Sequence, residues 1–226
     1  NARCRMCEIW QLKEKGSLAA DDYKRLPGSL ERVNITGGEP TMRSDLAAIV
    51  RNVHTAANGP QIVVTTNGYL TGRILALLDD IDDLRPRIGL GISLDGIGAT
   101  HDRIRATRNA FAKVMRTIDA LRSRGTRNIR ISFTISNENV DELPAVYELS
   151  RSRGIEFCMQ LVHNSALYYH TDRNKPVDSS RLRASIARIN QRELAKLRPK
   201  PWFRAYFNHG IVEHNDFGKR VVACDA

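Results

Sequence analysis

Five times along this chain a short, largely β-branched run gives way to the spacing of an amphipathic helix, and that alternation most limits what it can fold into. The runs are RVNIT (residues 32–36), QIVVTT (61–66), RIGLGISLD (87–95), IRISFTI (129–135) and IEFCMQLV (155–162). After the first, Leu46, Ile49, Val50 and Val53 fall at i, i+3, i+4 and i+7, with Ser44 placed to cap the start and Gly59 to end it. A short helix is expected over 70–78. Phe111, Val114, Ile118 and Leu121 mark another, closed by Gly125, and 140–153 a further one with Pro144 tolerated in its first turn. Strands that alternate with helices build a parallel sheet joined by crossovers. Beyond Gln160 the rhythm breaks. Residues 163–178 read as loop, 179–197 as one more amphipathic helix, and RPKPWFRAYFNHG crowds prolines and aromatics together.

Composition narrows the class. Of 226 residues, 42% are hydrophobic and 27% charged, the balance of a soluble globular chain, and no stretch approaches a membrane span of roughly 20 apolar residues. The net charge of +10 favours anionic partners in general. Much of it lies late: Arg181, Arg183, Arg188, Arg192, Lys196, Arg198, Lys200 and Arg204 surround a single acid, Glu193. A solvated helix face is the simplest reading; a nucleic-acid-binding surface is the competing one. Four cysteines at 4, 7, 158 and 224 form no disulfide framework, and a reducing, cytoplasmic setting is expected.

In a parallel α/β architecture the chemistry gathers at the C-terminal ends of the strands. The first strand ends in TGGEP (36–40), the second in TTNG (65–68), the third in SLDG (93–96) followed by HDRIR (101–105), and the fourth near Ser136 and Asn137. Each alone reads as a turn. Cys4 and Cys7, three apart, are compatible with a redox dithiol, half of a zinc site, or ligands of a larger cluster.

Taken together, the cysteine pair and the strand ends resemble the radical S-adenosylmethionine (SAM) superfamily. The resemblance runs from position 1 to about Leu161, with a further cysteine expected just before Asn1 to complete C-x-x-x-C-x-x-C. TTNG, SLDG and HDRIR look most like the branch of molybdenum-cofactor, peptide-maturation and sulfatase-maturation enzymes, which carry a SPASM or twitch module. The resemblance implies a partial (β/α)₆ TIM-like barrel whose first strand precedes Asn1. It also implies a [4Fe–4S] cluster on Cys4 and Cys7, with its open iron chelating SAM. Gly37, Gly38, Glu39 and Pro40 would line the methionyl end of SAM. Thr66, Asn67, Ser93 and Asp95 would sit at its ribose or carboxylate, with Arg105 a carboxylate partner. Asn137 and the strand about 157–161 would flank the adenosine. Met6 stands where family members often carry an aromatic residue beside the adenine.

The implied activity is reductive cleavage of SAM to a 5′-deoxyadenosyl radical that abstracts hydrogen from a peptide, protein or anionic small molecule. The electron would come from a flavodoxin or ferredoxin. A family member that binds a cluster without doing chemistry is the other option. The chain is expected to be a fragment clipped at both ends: core 1–161, bridging segment 162–223, and 224–226 as the start of an auxiliary-cluster module with Cys224 its first ligand. Cys158 is expected to be a core thiol. His163, His170, Tyr168 and Tyr169 are expected to pack in the loop.

Overall fold

The structure, a computed structural model, describes residues 1–12, 18–166 and 169–221. Five strands, β1 (Arg32–Ile35), β2 (Gln61–Thr66), β3 (Ile88–Ser93), β4 (Ile129–Ile135) and β5 (Glu156–Leu161), form one sheet in the order of the sequence, every pair parallel. Each strand is added to the same edge, so the sheet curls into a half-barrel instead of doubling back. The crossover helices are α1 (Leu46–Ala56), α2 (Thr71–Asp80), α3 (Ala99–Ile104) with α4 (Ala110–Ser123), and α5 (Leu143–Ser152).

Burial alternates most regularly along β2 and β4, while central β3 is buried at all but its last position. Ile62, Val64, Leu90, Ile92, Ile131, Phe133 and Ile135 are all but sealed beneath the helices, which supply Ile49, Val50, Ile74, Val114, Ile118 and Leu121. Each such side chain contributes about 1.5–3 kcal/mol relative to exposure. The other face carries Asn34, Thr65, Gly91, Ser93, Arg130, Ser132, Thr134, Cys158 and Gln160, and lines the concave side of the half-barrel.

Two local expectations are corrected. Ser44 does not cap α1: Asp45 is the N-cap residue, and its carboxylate pairs with Arg43 rather than with the helix. Cys158 is not a core thiol. It is exposed, on the face that the even-numbered positions of β5 share. The stretch that crowds prolines and aromatics together forms α7 (Pro199–Phe217), following α6 (Ser179–Leu194). Pro199 and Pro201 lie in the first helical turn, where the missing N–H groups have no intrahelical acceptor to lose. Gly218, with φ +64°, ends the helix in a conformation that favours glycine.

The basic helices find their acids on other elements. Arg181 pairs with Asp141, Arg183 with Asp216, Arg192 with Glu148, and Lys200 and Arg204 with Glu156. Glu193 is 1% exposed, accepts the Tyr147 hydroxyl, and has Lys196 and Arg204 within 3.9 Å. This charge serves the packing of α6 and α7 and leaves little of a free basic stripe. No helix among the described residues is long and apolar enough to cross a membrane.

Candidate active site and cofactor cradle

The C-terminal ends of the strands open into a cavity of about 500 Å³. Gly37, Gly38 and Glu39 line it from the loop after β1, Thr65, Thr66 and Asn67 from β2, and Ser93, Thr134, Gln160 and Leu161 from the other strands. The segment bearing Cys4, Met6 and Cys7 closes one side.

That segment is anchored on both flanks. Cys7 N–H donates to the Cys4 carbonyl at 3.3 Å, a tight turn that brings both thiols to the same cavity. Arg5 N–H donates to the Ile104 carbonyl of α3 at 2.9 Å, and Glu8 N–H to the Tyr169 carbonyl at 2.8 Å. Asn174 Nδ2 donates to the Met6 carbonyl at 3.1 Å. Burial pushes the Cys7 thiol up; the Ile9 amide and the charge of Arg105 pull the other way without offsetting it. Among the described residues no group of three or more His, Cys, Asp or Glu is arranged to hold a metal. The thiols at the cavity are these two, beside the thioethers of Met6 and Met42.

Glu39 is a brace. One carboxylate oxygen accepts from Thr41 N–H (3.2 Å), Thr41 Oγ1 (2.6 Å) and Thr66 Oγ1 (2.7 Å), and the other from Asn67 N–H (2.7 Å). It ties the loop after β1 to the end of β2, with Pro40 buried in the helical turn (Pro40–Met42) that follows. Gly37, at φ +149°, adopts a backbone that side-chain-bearing residues rarely take. A Cβ at Gly37 or at Gly38 would meet no protein atom within 4 Å. Both glycines border open cavity, so a bound molecule could lie against bare backbone there.

Asp95 does not line the cavity. It is fully buried and holds Arg105, whose Nε donates to Asp95 Oδ2 at 2.5 Å, while Thr134 N–H donates to Oδ1 at 2.8 Å. Burial works against the charge of Arg105, but Asp95 first, then Cys4 and Tyr69, more than offset it, so Arg105 is held firmly protonated. Its free Nη1 points to Cys4 Sγ at 3.7 Å. Behind this pair sits His101. Asp95 N–H donates to its Nδ1 at 3.0 Å, which places the ring proton on Nε2. Burial and then Arg105 push its pKa down to about 4.

Asn137 lies off the cavity. Its amide donates to the Pro176 carbonyl and accepts from Asp178 N–H, pinning the chain that leads into α6. Cys224 lies outside the described residues, as does Tyr168. His163 and Tyr169 do border the cavity, packed edge to face with centroids 4.8 Å apart. Thr65 belongs to the TTNG motif and Gln160 to the strand expected beside the adenosine, but Thr134 was not singled out; its concave position near a strand end is the only signal that marks it.

Residues 1–150 match the sequence model of the radical SAM superfamily. The chain belongs to the radical SAM superfamily. Among curated relatives, this radical SAM chain is 32% identical over 139 residues to the Fe-coproporphyrin III synthase of Methanosarcina barkeri, covering 60% of this chain and 32% of that protein. It is 28% identical over 162 residues to the pre-heme d1 synthase of Dinoroseobacter shibae (71% and 38%), and 27% over 167 residues to the GTP 3′,8-cyclase of Cronobacter sakazakii (69% and 50%). The chain thus spans half or less of these relatives' lengths. In fold it is similar to native anSMEcpe with bound AdoMet and Kp18Cys peptide, with a TM-score of 0.65 at 17% identity, over 99% of this chain and 65% of that one.

The residues present suit the superfamily's cofactors. Two thiols at one cavity wall are fitting donors for an iron–sulfur cluster, for which cysteine thiolates are the usual ligands. The open space over Gly37 and Gly38 suits a molecule held against backbone.

Proposed function

We propose that this chain is the SAM-cleaving core of a radical enzyme. The observation that carries the proposal is the convergence of Cys4, Cys7 and the bare Gly37–Gly38 backbone on one cavity at the strand ends, with the charge of Arg105 fixed beside Cys4. Cys4 and Cys7 would hold a [4Fe–4S] cluster together with a thiolate directly preceding Asn1, which itself lines the cavity. When bound, the cluster and SAM supply an electron-driven cleavage that yields a 5′-deoxyadenosyl radical for hydrogen abstraction. Gly37 and Gly38 leave room for the methionyl group. Glu39 keeps their loop in place, Thr66, Asn67 and Ser93 line the remaining wall, and Met6 borders the same space. Asp95 acts by orienting Arg105 rather than by touching ligand. Gln160, His163 and Tyr169 face the side from which a substrate would enter.

The finer readings are proposals of the same kind. Residues 162–223 bridge to a module whose first cluster ligand is Cys224, a flavodoxin or ferredoxin delivers the electron, and the setting is cytoplasmic. The test uses the full-length protein, reconstituted anaerobically with iron and sulfide, then given dithionite and SAM. Visible cluster absorption and 5′-deoxyadenosine are expected, and both are lost together in Cys4→Ala. About eight irons per chain rather than four would support the Cys224 module. A cluster without 5′-deoxyadenosine would leave a non-catalytic family member, and activity surviving Cys4→Ala would overturn the ligand assignment.

A further inference from the structure

Asp95, two residues past β3, is fixed from three directions. Its side chain has no exposure; one oxygen accepts the Thr134 N–H at 2.8 Å, and Asn139 Nδ2 donates to its carbonyl at 2.9 Å. The other oxygen takes Arg105 Nε at 2.5 Å. Arg105 cannot pivot without losing that bond. With Nε engaged, the guanidinium presents Nη1 to Cys4 Sγ at 3.7 Å, within hydrogen-bond reach of a sulfur acceptor.

The cysteine turn is tied to the same frame. Arg5, the residue after Cys4, donates its N–H to the carbonyl of Ile104, the residue before Arg105. Thiol and guanidinium are therefore held together by their chain neighbours as well as by each other. The other two cations of this rim are placed differently. Arg5 and Arg103 both pair with Glu138, at 3.3 and 3.6 Å, from side chains 55% and 48% exposed, so an acid and solvent screen them. The Arg105 side chain is 12% exposed.

Hydrogen bonds to the ligating sulfurs and the charge around them set the reduction potential of an iron–sulfur cluster. Reduction adds one electron and breaks no bond, so a fixed cationic donor at a ligand sulfur favours the reduced, more negative form. We infer that Arg105, oriented by Asp95, hydrogen-bonds the Cys4 sulfur and raises the reduction potential of the cluster seated there. The inference rests on the cluster assignment proposed above. It gives Arg105 a role before SAM arrives, separate from any contact with the carboxylate of SAM, and makes Asp95 a positioning residue for that role.

The test is an anaerobic redox titration of the full-length protein, reconstituted with iron and sulfide and kept free of SAM. Dithionite is the one-electron reductant, mediator dyes set the potential, and electron paramagnetic resonance reads the reduced cluster. At the wild-type midpoint, Arg105→Gln should lower the ratio of reduced to oxidised cluster by about tenfold, a midpoint about 59 mV more negative. Arg105→Lys, which keeps the charge but not the fixed N–H, should recover part of the loss. Arg103→Gln should stay within about twofold of wild type. Arg105→Gln strands the buried Asp95 carboxylate. The double variant Asp95→Asn with Arg105→Gln removes both charges together, leaves the net charge unchanged, and should lower the ratio by about threefold or more. It decides alone if the single variant does not fold. Ratios within about twofold of wild type in the variants that fold overturn the inference, even where SAM binding is weakened, because Arg105 would then act on SAM only. A wild type that assembles no cluster removes the proposed function and this inference together; an unchanged midpoint on an assembled cluster removes this inference alone.

Discussion

Replacing Glu39 by Gln separates a brace from a ligand-binding group. The substitution keeps the side chain's shape and turns one oxygen into a donor. Glu39 is 8% exposed, and one oxygen serves the Thr41 N–H while the other serves the Asn67 N–H. Whichever way the amide turns, one of these backbone N–H groups faces an NH₂. The two threonine hydroxyls can rotate to accept; the backbone cannot. Losing one charge-assisted bond and stranding a buried N–H is worth about 2–3 kcal/mol. For a domain of this size that is a fall in Tm of roughly 5–10 °C. The assay is calorimetric melting of the full-length protein before any iron or SAM is added. A Tm within about 1 °C of wild type, combined with lost SAM binding, would refute the reasoning, because the carboxylate would then act on the ligand and not on the loop.

Gly38→Val should behave in the opposite manner: with no protein atom within 4 Å of its Cβ, the melt should be unchanged, while SAM affinity measured by equilibrium dialysis falls by about tenfold or more. His101 should set part of the acid limb of stability. Its folded pKa of about 4 lies below the ordinary 6.5, so the unfolded chain takes up a proton that the folded one refuses. Stability is full above pH 6.5 and declines by roughly 3 kcal/mol toward pH 4. Urea melts of His101→Gln at pH 7 and pH 5 should show a flatter dependence than wild type; an identical slope would exclude His101 as the source.

The strands and most helices were legible because the apolar side of each element packs in one layer, so Leu46, Ile49, Val50 and Val53 announce α1 by spacing alone. What the sequence could not show is the role of the polar side. Arg130, Ser132 and Thr134 alternate with buried Ile and Phe as they would on a solvated strand, and only curvature turns them inward; the same ambiguity hid the exposure of Cys158. Asp95 and Arg105 both belong to recognisable motifs, but α3 must fold back over the strand end before one becomes the buried counter-ion of the other. Pro199 and Pro201 gave no helix start by themselves, because a proline suits the first turn of a helix and a loop equally well. Glu193 looked like an isolated acid among arginines, and its burial depends on Tyr147 from another helix.

The anchoring of the cysteine turn bears on how the protein is made. Cys4 and Cys7 leave the ribosome before the half-barrel does, but the turn that carries them is fixed by Ile104 and then by Tyr169 and Asn174, the last 168 positions after Met6. Contacts so distant in sequence form late, since the intervening chain must be ordered first. Thiol pulse-labelling during refolding should therefore find both cysteines reactive after the β2 and β3 amides are already protected. Early thiol protection would mean that the turn assembles on its own. A ribosome stalled before Tyr169 would leave the cysteine turn with only its Ile104 anchor, which would place loading of the proposed cluster after synthesis of the half-barrel and not during it.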